Sequence, residues 1–202
     1  MKLYYTRGAC SLGPHILLHE IGAKFESEAV DLRAKQTASG ANFLEINPKG
    51  YVPALVLDNG ELLTEAAIVL QYIADRKPEA KLLGAPGTME RYHALEWTHF
   101  VSTEIHKSYS LLFAPDTPAE YKEIVKKKLR QRLTHVDGVL SKGNYLMGAQ
   151  CTIADVYLFV TTNWMGAVAL DAASFPNLAK FKERMAARPA VQAAMKAEGL
   201  LK

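Results

Sequence analysis

The chain has 202 residues, 49% of them hydrophobic and 22% charged, which describes a folded globular protein of one large or two small domains and excludes disorder. Its net charge is +3, with 8 basic against 10 acidic side chains in residues 1–79 and 16 against 11 in residues 80–202, too mild an excess for a nucleic-acid-binding surface. Two cysteines, Cys10 and Cys151, make no disulfide framework and no zinc-type spacing, and there is neither a leader pattern nor an apolar run near the ~20 residues of a membrane span. A cytoplasmic protein that engages neither nucleic acid nor membrane is expected.

Lys2–Tyr5 is a short apolar run that reads as a strand, Arg7-Gly8-Ala9 turns the chain, and Ser11 or Pro14 opens a helix that Gly22 closes. Cys10 falls at the strand-to-helix corner. Unpaired backbone N–H groups and the positive end of the helix dipole favour a thiolate there, against the alternative of a small packed cysteine. Glu26–Val30 alternates as a second strand, and Ala38–Ile46 reads as a short helix ending before Asn47-Pro48. Ala54–Leu57 and Leu62–Leu63 flank Asp58-Asn59-Gly60, a hairpin signal, and Glu65–Asp75 follows as a helix. Val52-Pro53 marks a special backbone position before the third strand, with a cis bond one option. The order strand, helix, strand, helix, strand, strand, helix (βαβαββα) predicts an α/β unit with one hairpin edge over residues 1–79.

Residues 80–87 carry Pro and Gly and read as a linker, and residues 88–202 are helical throughout. The expected helices are Met89–Leu112, Pro118–Leu140, Ile153–Ala169, Pro176–Ala187 and Pro189–Ala197. Thr152-Ile153-Ala154-Asp155 has the form of a capping box with Asp in the position of the usual Glu.

Tyr92, His99, Thr103 and His106, spaced by seven, four and three, form a polar stripe on one face of the long helix, serving a ligand or satisfied by water and backbone. A histidine can hydrogen-bond a thiolate and a nearby Lys107 would favour it. His15 and His19 lie one turn apart but lack the Glu and the third ligand of a metal motif, so no metal site is expected. The basic run Lys126-Lys127-Lys128 with Arg130 and Arg132 has no interleaved aromatics and reads as a solvated face. Glu65 at a helix start is either a dipole partner or a recognition group for an ammonium-bearing ligand.

Taken together, these segments resemble a bacterial beta-class glutathione S-transferase over essentially the whole chain. The resemblance rests on Lys2-Leu3-Tyr4-Tyr5, Gly8-Ala9-Cys10-Ser11, Pro14-His15, Lys35 through Gly40, and Leu44 through Pro53. It continues in Leu63-Thr64-Glu65, Ser102 through Lys107, and Thr152 through Asp155. It implies a thioredoxin-like N-terminal domain with mixed sheet and cis Pro53, an all-α domain forming the electrophile site, a homodimer, and reduced glutathione as cosubstrate. It implies Cys10 beside the glutathione sulfur and able to form a mixed disulfide with it, and a hydrogen bond from His106 near that sulfur. Lys35 would meet the glycyl carboxylate, Val52 would pair its backbone with the cysteinyl part, and Glu65 with the Ala66 N–H would hold the γ-glutamyl end. His99 and Thr103 stand where relatives commonly have Asn and Ser, and both retain hydrogen-bonding groups. Ala66 lacks the hydroxyl common after the acidic residue, leaving only its backbone donor.

The expected activity is delivery of the glutathione thiolate to an apolar or aromatic electrophile, with disulfide exchange as a second activity. Cys10 with His106 ranks ahead of Tyr5, which packs as strand core, and of Ser11, which caps the helix. The alternatives are a glutaredoxin-like thiol–disulfide oxidoreductase and a non-catalytic carrier of apolar ligands, with glutathione-dependent dehalogenation or isomerisation sharing the same site.

Overall fold

A computed structural model of the chain describes residues 1–201. Two compact units emerge: Met1–Ala80 joined by the chain from Arg188 onward, and Lys81–Ala187.

In the first unit, strand β1 (Lys2–Tyr5) pairs parallel with β2 (Glu26–Asp31) and antiparallel with β4 (Ala54–Val56). A two-residue strand β3 (Gln36–Thr37) adds to β2, and β5 (Leu62–Thr64) adds to β4, giving a mixed sheet in the order β3-β2-β1-β4-β5. The β4–β5 hairpin turns at Asp58-Asn59-Gly60 as expected, with Gly60 at φ +85° and Gly60 N–H donating to Leu57 O. Its register places Ala54 opposite Thr64, so the Val52-Pro53 corner and Glu65 leave the sheet side by side. The Val52–Pro53 bond is cis.

Helix α1 (Leu12–Glu20) buries Leu12, Ile16, Leu17 and Leu18, and ends at Gly22, whose φ of +65° suits glycine. Helix α3 (Ala66–Asp75) packs on it through Val69, Leu70 and Ile73. Helix α2 is shorter than the expected Ala38–Ile46. It spans Phe43–Ile46 only, because Asn42 caps it by accepting from Leu44 N–H while Thr37 is drawn into β3. The final helix α9 (Pro189–Ala197) lays Ala190, Val191 and Ala194 against α1, so it belongs with the first unit rather than with the helical domain to which 88–202 assigns it. Its small residues permit that close approach. Glu198 just beyond it is fully buried and bonds both His15 Nδ1 (2.9 Å) and Gly8 N–H (2.8 Å).

The second unit is helical. Helix α4 (Met89–Phe100) runs into wide π-type turns over Val101–His106 and on into α5 (Lys107–Phe113). The expected single α-helix is thereby interrupted, and the stripe drawn at α-helical spacing does not hold together: Tyr92, His99 and Thr103 are exposed, whereas His106 turns inward. Helix α6 (Ala119–Leu140) buries Val125, Leu129, Leu133, Val136 and Leu140 against its neighbours, and its Asp137 accepts from Asn177 and Leu178 N–H to open α8 (Pro176–Ala186). Helix α7 (Ile153–Thr162) is buried all round, as its composition predicts, but stops short of Ala169. The hydroxyls of Thr161 and Thr162 donate back to Leu158 O and Phe159 O, and the chain leaves the helix in short turns ending at Ala169, φ +55°. The capping box is formed: Asp155 accepts from Thr152 N–H (2.8 Å), Thr152 hydroxyl (2.9 Å) and Leu146 N–H (2.8 Å).

Candidate active site

The corner after β1 is built by Thr6. Its N–H donates to Ser11 Oγ (3.1 Å), its hydroxyl donates to Val30 O (2.8 Å), and its carbonyl accepts from Ala9 N–H (3.0 Å). Ser11 is fully buried and stitches this turn instead of capping α1, where it makes no capping bond. Tyr5 is half-buried, with its ring 5.3 Å from that of His15. His15 in turn stacks on His19, and its Nδ1 is committed to Glu198.

Cys10 emerges from this corner and its thiol donates to Val52 O at 3.2 Å. Burial pushes the thiol up from 9.0 to about 12, opposed by the N–H groups of Cys10 and Ser11 and reinforced by the Glu65 carboxylate. The dipole argument for a thiolate is therefore overturned in the free protein. A helix start offers ~0.3–1 kcal/mol, less than one pKa unit, whereas burial moves a group by as much as ~3–5 units. Cys10 is a protonated donor.

The segment Asn47–Val52 lies across from it. Asn47 is buried and organises the loop, accepting from Lys49 N–H (3.2 Å) and donating from Nδ2 to Tyr51 O (2.7 Å). Gly50 takes φ +69°, and a Cβ there would meet Leu44 and the Lys35 ammonium at 3.2 and 3.3 Å. The positive φ favours glycine there, and Lys35 Nζ donates to Gly50 O (2.9 Å) and lies 5.7 Å from the Tyr51 ring centroid. Among the described residues, Val52 N–H has no acceptor.

Glu65 precedes α3 at φ +70°, a left-handed conformation unusual for a non-glycine residue and common at functional sites. It makes no capping bond, so the N–H groups of Ala66 and Ala67 are without acceptors among the described residues. The Glu65 carboxylate instead meets Lys49 Nζ at 3.0 Å, and the same ammonium donates to Thr64 Oγ1 (3.0 Å). Cys10 follows β1, Lys35 precedes β3, Val52 precedes β4, and Glu65 with Ala66 follows β5, so the unit gathers these residues at one end of its strands. Lys49, Asn47 and Gly50 are missed as site residues by the sequence reading. The Asn-Pro-Lys-Gly turn signal marks the loop but not what its side chains hold.

In the helical unit, His106 Nδ1 lies 2.7 Å from Tyr157 hydroxyl, and its ring lies 4.9 Å from that of Trp164. Burial, then the Lys107 charge, pushes His106 down to about 4, so it is neutral at physiological pH. Tyr109 packs edge-on to Trp164 at 5.4 Å, and Phe113, 48% exposed, extends this aromatic wall. His99 Nδ1 faces Leu95 O and Thr103 hydroxyl donates to His99 O, both local helix bonds. Tyr157 and Trp164 lie in a segment so uniformly apolar that no polar signal singles them out.

Residues 1–75 match the family model for the glutathione S-transferase N-terminal domain, and residues 93–189 match that for the C-terminal domain. The chain belongs to the glutathione S-transferase family. The chain is similar to the glutathione S-transferase GstA of Escherichia coli O157:H7, 45% identical over 99% of this chain and 100% of that protein. It is similar in structure to a sphingomonad glutathione S-transferase complexed with glutathione, with TM-score 0.95 and 44% identity over the full length of both chains. A bacterial beta-class glutathione S-transferase from Sphingomonas chungbukensis likewise gives TM-score 0.96 and 43% identity over both full lengths. The transferase fold is thus a thioredoxin-like unit with a mixed sheet and a helical unit, and glutathione is its cosubstrate.

Proposed function

We propose that this transferase binds reduced glutathione along the edge of the first unit and delivers its thiolate to an apolar or aromatic electrophile. The observation that carries the reading is the row of complementary groups there: a lysine, an open amide, a glutamate and an open helix start, with one thiol among them. Glutathione carries two carboxylates, one ammonium and an extended peptide. Lys35 suits the glycyl carboxylate, Val52 N–H suits the cysteinyl backbone, and Glu65 with Ala66 N–H suits the γ-glutamyl end. Cys10, held as a thiol, is suited to donate its S–H to the glutathione sulfur and stabilise the thiolate. Its high pKa argues against a glutaredoxin-like role as the leading chemistry, because exchange needs the Cys10 thiolate. A mixed disulfide with glutathione is then a slow side reaction with oxidised glutathione.

His99, Thr103 and His106 enter the proposal through the family resemblance. The aromatic wall of Tyr109, Phe113 and Trp164 supports an aromatic electrophile at the helical unit, while the first unit serves as the glutathione-binding domain. A homodimer is proposed from the family pattern and from large apolar side chains left exposed on the first unit, Tyr51 (70%) foremost with Leu44 and Ile68. A cytoplasmic location is proposed from a sequence that holds two cysteines and no disulfide framework. Titration calorimetry with glutathione up to millimolar, beside conjugation of 1-chloro-2,4-dinitrobenzene, tests the reading. Saturable binding and turnover are expected, and absence of both favours a carrier of apolar ligands.

A further inference from the structure

A cavity of about 310 Å³ opens within the helical unit between the end of α7 and α8, and its lining includes none of His106, Tyr109, Phe113 and Trp164. The hollow follows from the local chain path. The backbone leaves α7 where the Thr162 hydroxyl turns back on Phe159 O, and it enters α8 only at Pro176. The connection brings Met165, Gly166 and Leu170 to the cavity, and α8 adds Leu178 and Ala179. Gly166 and Ala179 put little bulk there, and a Cβ built at Gly166 meets no atom within 4 Å. The walls are thus largely thioether and aliphatic, and 310 Å³ is about twice the ~150 Å³ cavity that admits benzene.

One cation lines this apolar space. Lys182, one turn beyond Leu178 and Ala179 on α8, is half-buried there. Among the described residues its ammonium has neither an ion pair nor a hydrogen bond. Burial pushes the ammonium down, and no carboxylate opposes that shift. Asp171, the carboxylate at the same cavity, is engaged elsewhere, its Oδ1 accepting from Ala173 N–H at 2.9 Å. A partly desolvated charge is costly until something pairs it. The cavity therefore joins apolar walls to an unmet demand for an anion.

We propose that this cavity binds an aryl carboxylate, with the carboxylate on Lys182 and the ring among Met165, Leu170 and Leu178. The ring gains burial and a thioether contact, and the carboxylate gains a charge-assisted hydrogen bond. A neutral ring forgoes that bond, and a dianion brings a second negative charge toward Asp171, so a monocarboxylate is favoured. The site lies apart from the glutathione groups and does not depend on that reading.

The test is calorimetric titration of the full-length protein with 2-naphthoate and with its neutral isostere 2-naphthamide. Each titration is run with and without saturating S-(2,4-dinitrophenyl)glutathione, which occupies the conjugation site. Wild type should prefer the acid over the amide by about 10- to 100-fold, the range of one charge-assisted hydrogen bond, with or without the conjugate. Lys182→Met should remove the preference and Lys182→Arg should restore most of it. Ala179→Leu, which adds bulk on the same face of α8, should abolish binding of both ligands. Should Ala179→Leu fail to fold by circular dichroism, the half-exposed Lys182 variants decide alone. Equal binding of acid and amide, a preference that survives in Lys182→Met, displacement by the conjugate, or no binding of 2-naphthoate at millimolar concentration overturns the proposal. A conjugate that does not itself bind counts against the glutathione reading and leaves the Lys182 comparison to decide this one.

Discussion

Alkylation of Cys10 distinguishes a protonated donor from a nucleophilic thiolate. Burial raises the thiol from 9.0 to about 12, which lowers its thiolate fraction at neutral pH by about a thousandfold relative to an unperturbed cysteine. Iodoacetamide labelling of the ligand-free protein, followed at Cys10 by peptide mass spectrometry, should be about three orders of magnitude slower than that of a free thiol at pH 7.5. Its rate should climb tenfold per pH unit without levelling below about pH 11. The same shift makes folding pH-dependent. The folded state holds the proton more tightly than the unfolded chain, so this contribution to stability is intact below about pH 9. It is lost at about 1.4 kcal/mol per pH unit as pH rises from there toward about 12. Cys10→Ala should flatten that part of the curve. Labelling as fast as a free thiol, or a rate plateau between pH 5 and 8, would refute the reasoning and restore the helix-dipole thiolate.

Gly50→Ala forces a Cβ to within 3.2–3.3 Å of Leu44 and the Lys35 ammonium at a left-handed φ, so it should cost about 1–2 kcal/mol in urea unfolding and raise KM for glutathione by displacing Lys35. Glu198→Ala leaves buried His15 Nδ1 and Gly8 N–H without their carboxylate, and a loss of about 2–4 kcal/mol is expected from the chemical-denaturation midpoint. Asp155 is pushed up by burial from 3.8 to about 6, so its contribution is present in full below about pH 4 and declines as pH rises through about 6. Thermal melts of wild type and Asp155→Asn should therefore converge or cross over that window, and a difference constant from pH 4 to 7 contradicts it.

The N-terminal architecture is legible because its signals are local. The Asn59-Gly60 turn, Gly22 and the alternation of Glu26–Val30 each act on neighbouring residues, and the order of elements along the chain follows from them. Strand β3 escapes notice because two residues carry no period, and Thr37 joins the sheet only through its pairing with Val30. Helix α9 is seen as a helix but assigned to the wrong unit, since its amphipathic pattern says that it packs and not on what. The polar stripe fails for a related reason: the turns at Val101–His106 widen, so spacing in sequence no longer gives the facing in space. Cys10 shows the limit for electrostatics. The helix start can be read from Ser11 to Pro14, but burial outweighs it, and the acceptor of the thiol, Val52 O, lies some forty residues on.

The central claim is that Cys10 acts as a thiol donor to the sulfur of bound glutathione. The pH dependence of kcat/KM for 1-chloro-2,4-dinitrobenzene at saturating glutathione, in wild type and Cys10→Ala, tests it most directly. Wild type should show a single rising limb whose inflection lies below the value near ~8.5 of a free thiol. Cys10→Ala should retain turnover with the inflection raised by about one unit, the worth of one lost hydrogen bond. An inflection identical in the two proteins, or a complete loss of conjugation with disulfide exchange intact, would contradict the account.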